Sequence, residues 1–150
     1  MYKRQVDTGF MPSAHHDIAE LSKKAVVHQT PSTPNILGIY LLKKVTDAML
    51  TKGLEVIRKE TNEKYELLTD CISNSSFLDF GVEDINHRSR TVIVADTSIS
   101  SLDINNKLKS NNLFVGTGYG DKKTSQIRIA NFPAISVSTI ESLVKEFKKI

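Results

Sequence analysis

The sequence predicts an α+β fold, with two helices in its first half and then a compact layer in which a sheet carries helices on one face. Three observations lead there. Residues 34 to 72 hold two long stretches of helical periodicity, separated by Gly53. From Asn74 the elements shorten and read β-β-α-β-β-α. The chain then closes on a one-sided stripe, Ile140, Leu143, Val144, Phe147 and Ile150, which needs a second layer to cover it.

Residues 1 to 30 are weakly periodic, and Ile18, Leu21, Ala25 and Val26 fit a short helix after Ser13 or Asp17. Thr30-Pro31-Ser32-Thr33-Pro34-Asn35 is a stiff, extended lead into a helix, with Thr33 as its cap and Pro34 at the first position, where a missing N–H is harmless. That helix runs to about Leu50 and stops at Gly53. Ile36, Leu37, Ile39, Tyr40, Leu41, Leu42 and Val45 make it apolar nearly all round, so it needs neighbours on several sides. A missing domain or a second subunit is the expectation.

The next helix, Leu54 to about Ile72, has a one-sided stripe of Leu54, Ile57, Thr61, Tyr65, Leu68 and Cys71 or Ile72. Glu55/Lys59 and Glu60/Lys64 are i,i+4 pairs of favourable orientation and read as its wet face. Strands are expected at Phe77 to Val82, Arg90 to Thr97, Leu113 to Gly118 and Gln126 to Phe132. Ser101 fits as the cap of a helix containing Leu102, Ile104 and Leu108, and Ser138 with Glu141 fits a capping box opening the last helix.

Bulk composition narrows the function classes. One hundred and fifty residues, 39% hydrophobic and 25% charged, suit one ordinary globular domain. The net charge of +3 comes from interspersed lysines and acids, so neither a nucleic-acid arm nor a polybasic membrane segment is present. Cys71 is the only cysteine, which rules out an internal disulfide and fits a reducing compartment. No apolar run reaches the ~20 residues that span a bilayer, and Met1-Tyr2-Lys3-Arg4-Gln5 lacks the apolar core of a signal peptide. A soluble, cytoplasmic protein is expected.

Chemistry concentrates between Gly116 and Pro133. Gly116-Thr117-Gly118-Tyr119-Gly120 has neither the spacing nor the following helix of a dinucleotide or P-loop motif, and reads as a glycine-rich turn or as a backbone anion site. Arg128 stands between Ile127 and Ile129, so strand alternation turns it away from the core. There it is a solvated charge or a clamp for a carboxylate, which a guanidinium grips through two parallel hydrogen bonds. Lys122 and Lys123 alone read as a solvated turn. His15, His16, His28 and His87 lack the spacing of a metal site, and no nucleophile stands beside a base.

Three segments together resemble the C-terminal part of a class V, pyridoxal-phosphate-dependent aminotransferase of the phosphoserine aminotransferase type. Ser32-Thr33-Pro34-Asn35-Ile36-Leu37-Gly38-Ile39-Tyr40-Leu41 is similar to the family's Ser-Thr-Pro helix start. Arg88-Ser89-Arg90-Thr91-Val92 is similar to the strand that opens the small domain. Ser125-Gln126-Ile127-Arg128-Ile129-Ala130-Asn131 resembles the strand bearing the substrate arginine. Their order and intervals agree from about residue 25 to 150.

The resemblance implies the end of a fold-type-I large domain with its connecting helix over residues 1–72. A small C-terminal domain with a mostly antiparallel sheet would fill 73–150. It implies pyridoxal 5'-phosphate as cofactor, amino-acid and 2-oxo-acid substrates, and a homodimer. Ser32 and Thr33 would contact the cofactor phosphate of the other subunit. Arg128 would hold the α-carboxylate of the substrate, with Lys122 as a second anion contact.

Phosphoserine members of the family place a His-Arg pair where Asp121 and Lys122 stand here. Lys122 offers a point charge to a phosphate and Asp121 repels it, so a sibling class V enzyme, such as an alanine/serine–glyoxylate type, is the alternative substrate reading. The Schiff-base lysine has no counterpart in this chain, and none of its residues is assigned a catalytic role. On that ground the chain is expected to be a C-terminal fragment, inactive alone. A non-catalytic relative of the small domain that binds an anionic metabolite, and a purely structural α+β module, are the readings from other classes.

Overall fold

A computed structural model describes residues 17–150. Two compact units divide them, one ending at Ala48 and the other running from Met49 to Ile150.

The first unit contains helix α1, Ile18–Val26, and most of helix α2, Ile36–Lys52. Asp17 caps α1 by accepting the N–H groups of Ala19 and Glu20, whereas Ser13 lies outside the described residues. The cap expected from Thr33 is supplied by Asn35, whose Oδ1 accepts the Gly38 N–H at 2.9 Å. The helix therefore begins after the Thr-Pro pair rather than inside it. Ile36, Leu37, Ile39, Tyr40, Leu41, Leu42 and Val45 are each more than half exposed. The all-round apolar surface read from the sequence thus has no cover among the described residues.

The second unit is an α+β layer. Gly53, at φ 89°, separates α2 from helix α3, Leu54–Ser73. Strand β1 (Leu78–Phe80), strand β2 (Val92–Thr97), helix α4 (Ser101–Leu108), strand β3 (Gly116–Thr117), strand β4 (Gln126–Ala130) and helix α5 (Val137–Phe147) follow. The strands form one antiparallel sheet in the order β1-β2-β4-β3. The central pair, β2 and β4, is in register from Val92↔Ala130 to Asp96↔Gln126.

Alternation then sorts the two faces. Ile93, Ala95, Ile127 and Ile129 turn inward onto Leu68, Ile104, Leu108, Ile140, Leu143 and Phe147 from the three helices. Each fully buried isoleucine contributes roughly 1.5–3 kcal/mol from apolar area removed from water. Phe77 and Phe147 meet edge-to-face with ring centroids 6.2 Å apart, joining the chain before β1 to the last helix.

Several local expectations shift. All four strands are shorter than the apolar runs that announced them, and β3 keeps only two residues. Ser100, not Ser101, caps α4, because the Ser101 hydroxyl is buried and donates to the Lys123 carbonyl at 2.7 Å. Ser136 caps α5 by accepting the Thr139 N–H, so the Ser138/Glu141 capping box does not form. Glu55 pairs with Arg58 (3.1 Å) and Glu60 with Lys52 (2.5 Å).

Lys64 departs furthest from expectation. Placed on the wet face by its spacing from Glu60, it is only 1% exposed and donates to the carbonyls of Phe132 (2.9 Å) and Ile135 (2.8 Å). Among the described residues no helix is long and apolar enough to cross a membrane.

Candidate functional site

The site is built on β4 and the glycine-rich loop before it. Ile127 and Ile129 are buried, so the backbone between them is fixed and Arg128 emerges on the solvent side of the sheet. Three contacts then hold its side chain. Nε donates to the Thr117 carbonyl at 2.7 Å, Nη1 donates to the Tyr119 hydroxyl at 2.9 Å, and the guanidinium lies over the Tyr119 ring with 4.0 Å to its centroid. Thr117 belongs to the neighbouring strand, where Gly116 pairs with Arg128. A Cβ at Gly116 would come within 3.3 Å of Nη2, so the glycine gives the guanidinium room to lie along the strand.

The loop that delivers these partners is tight. A Cβ on Gly118 would sit 2.2 Å from the Lys122 carbonyl oxygen, which no side chain tolerates, and Gly120 takes φ 52°. Gly118 N–H donates to Gln126 O (2.8 Å) and Lys122 N–H to Tyr119 O (3.0 Å). The buried Ser101 pins the far side of the loop through Lys123 and Thr124. The glycines therefore serve a turn that presents Tyr119.

Nε and Nη1 each have a protein partner, and each terminal nitrogen carries two N–H groups, so the fork keeps N–H donors for a carboxylate. An arginine already locked in one orientation loses little side-chain freedom when it binds an anion.

Lys122 lies on the same loop, but its ammonium is directed to Asp96, 3.8 Å away, and Asp96 also accepts from Gln126 Nε2 at 2.9 Å. Both partners of this long ion pair are exposed, so its hold is weak and the ammonium is free to swing to another anion. Ser32 and Thr33 lie in the extended segment before α2. Thr30 Oγ1 donates to Ser32 O at 2.7 Å, and among the described residues neither the Ser32 nor the Thr33 hydroxyl has a hydrogen-bond partner. Two exposed hydroxyls beside a helix start suit a phosphate. The Asn35 cap takes one of the N–H groups there.

Other expected features resolve as structure. Arg88 stacks on Phe80 (3.6 Å to the centroid) and donates to the carbonyls of Val82 and Glu83. Arg90 bonds Asn62 Oδ1 at 2.8 Å. His87 lies 3.4 Å from Asp84 on the surface, and among the described residues no His, Cys, Asp and Glu cluster could hold a metal. His15 and His16 lie outside the described residues.

Sequence reasoning missed two residues that support β4. Asn131, fully buried, donates through Nδ2 to Thr61 O (3.0 Å) and Arg90 O (2.8 Å), tying the end of β4 to α3 and to the approach of β2. Lys64 anchors the next segment, and burial lowers its pKa, an effect opposed by Glu60 and reinforced by Lys52. An asparagine directly after an apolar strand was the signal available for the first; nothing in the pattern marked the second.

The family model for class-V aminotransferases matches residues 15–132. The chain belongs to the class V aminotransferases. Among solved structures of the family's fold, a phosphoserine aminotransferase from Cytophaga hutchinsonii is 44% identical with a TM-score of 0.87, covering 98% of this chain and 41% of that one. A phosphoserine aminotransferase from Bacillus circulans subsp. alkalophilus, 21% identical, shares the fold with a TM-score of 0.70 over 97% of this chain and 41% of its own. No curated protein matches significantly. This class V chain thus spans about two fifths of the length of the solved structures it resembles, matching their C-terminal part.

Proposed function

We propose that these residues are the substrate-carboxylate half of a pyridoxal-phosphate-dependent transaminase. In this reading they comprise the end of the large domain (1–72) and the small domain (73–150). The observation that carries it is Arg128, positioned on the solvent side of the sheet by Thr117 and Tyr119 with N–H groups beyond those two bonds. Arg128 grips the α-carboxylate of the amino acid and fixes its amino group and Cα relative to the cofactor. A hydrogen bond to a charged group contributes ~1.5–3 kcal/mol, so a two-bond clamp dominates the orientation.

Ser32 and Thr33, whose hydroxyls have no hydrogen-bond partner among the described residues, would hold the phosphate of pyridoxal 5'-phosphate across a homodimer. When bound, the cofactor supplies the electron sink for breaking the Cα–H bond. The lysine that carries it belongs to the part of the relatives' length outside this chain, so these residues alone are inactive in this reading.

The substrate pair we favour is glutamate with 3-phosphohydroxypyruvate, as in serine biosynthesis in the cytoplasm. It is supported by the 44% identity to a phosphoserine aminotransferase. Lys122 would reach from Asp96 to the substrate phosphate. Asp121 beside it favours a second reading, a class V sibling acting on alanine or serine with glyoxylate.

Assay of the full-length enzyme separates them. Turnover of glutamate with 3-phosphohydroxypyruvate, weakened by Lys122→Ala through KM, is the expected result. Faster turnover of alanine or serine with glyoxylate, insensitive to Lys122→Ala, would establish the sibling.

A further inference from the structure

We infer that Tyr119 is a positioning residue for Arg128, and that it sets which edge of the guanidinium meets the carboxylate. The inference rests on the reading of Arg128 as the clamp. Tyr119 touches the arginine in two ways at once, through its hydroxyl at 2.9 Å and its ring face at 4.0 Å. It does so while 75% exposed, so burial in the core does not account for its place.

Its backbone is held instead by the turn. Gly118 admits no Cβ and Gly120 takes a left-handed φ, and the tight turn they allow carries the Tyr119 side chain to the arginine. A guanidinium has five N–H donors and rotates readily about its χ angles when unpartnered. The Thr117 carbonyl restrains Nε alone. The tyrosine adds the second fixed point and, by stacking, the plane. The N–H groups that remain are then presented in one orientation to an incoming carboxylate.

The same loop carries Lys122, whose N–H donates to Tyr119 O, so the turn that seats the tyrosine also places the second cation. The glycine-rich run thereby gains a role beyond delivering a strand.

Two variants divide the contacts: Tyr119→Phe removes the hydroxyl and keeps the ring, and Tyr119→Leu removes both. In the full-length enzyme, KM for the amino-acid substrate should rise about 5-fold in the first and more than ~20-fold in the second, with kcat changing less. Nitrogen-15 NMR of the Arg128 side chain in the present chain gives a readout independent of activity. Slow guanidinium rotation in the wild type should become fast averaging in both variants.

Unchanged KM values at Tyr119, beside a raised KM in Arg128→Ala, would overturn the inference and leave the clamp standing. An Arg128→Ala enzyme with unaltered KM would instead overturn the clamp, and with it the substrate role of Tyr119. Fast averaging already in the wild type would overturn the positioning of the guanidinium by the tyrosine.

Discussion

The Nζ of Lys64, in the middle of α3, lies 2.9 Å from the carbonyl oxygen of Phe132, 68 residues later in the chain. With its second bond to Ile135 it fastens the segment that leaves β4, the strand carrying Arg128. Removing the side chain leaves two carbonyls short of a donor and a void beneath them. Lys64→Ala should cost about 2–4 kcal/mol at neutral pH, read from urea unfolding.

The same lysine imposes a pH dependence. Its folded pKa is lowered by burial from the ordinary 10.5, so between those two values the unfolded chain holds more protons and stability rises with pH. The contribution is complete above 10.5 and is lost as pH falls through the folded value. Glu60 works against the shift and Lys52 with it. The stability gap between wild type and Lys64→Ala should widen as pH rises towards 10.5. A gap that narrows over that range would contradict the burial of a charged amine.

Asn131 should be as sensitive. Its amide N–H groups satisfy carbonyls on two other segments, Thr61 and Arg90. Asn131→Ala should destabilise by about 2–3 kcal/mol in urea unfolding, while the equally short substitution Asn111→Ala, on the surface, should cost less than about 0.5 kcal/mol.

Cys71 is buried in the core, and burial pushes its thiol pKa up, with Lys148 opposing. The thiolate is the reactive form, so alkylation by iodoacetamide at neutral pH should proceed only as fast as the protein opens. Full labelling within minutes of native protein would place the thiol in solvent.

Much of this was legible in the sequence, for identifiable reasons. Ile127-Arg128-Ile129 declares a strand and its faces at once, because a period of two leaves one outcome for the middle residue. The α5 stripe and the exposed apolar surface of α2 were equally plain. Caps were not: Thr33 and Asn35, Ser100 and Ser101, and Ser136 and Ser138 are chemically interchangeable candidates, and backbone dihedrals choose between them.

Lys64 was hidden by its own spacing. Four residues after a glutamate, it matches a solvated pair, and only the chain returning 68 residues later buries it. Tyr119 was hidden likewise, since its partner Arg128 reaches it through the fold rather than through any local pattern.

Arg128, as the proposed carboxylate clamp, is open to a kinetic test. Steady-state kinetics of Arg128→Ala and Arg128→Lys in the full-length enzyme test it most directly. A loss of two charge-assisted bonds should raise KM for the amino acid by more than ~10²-fold in the alanine variant, with partial recovery in lysine and unaltered cofactor binding. KM values within about twofold of wild type in both variants would mean that Arg128 does not hold the carboxylate.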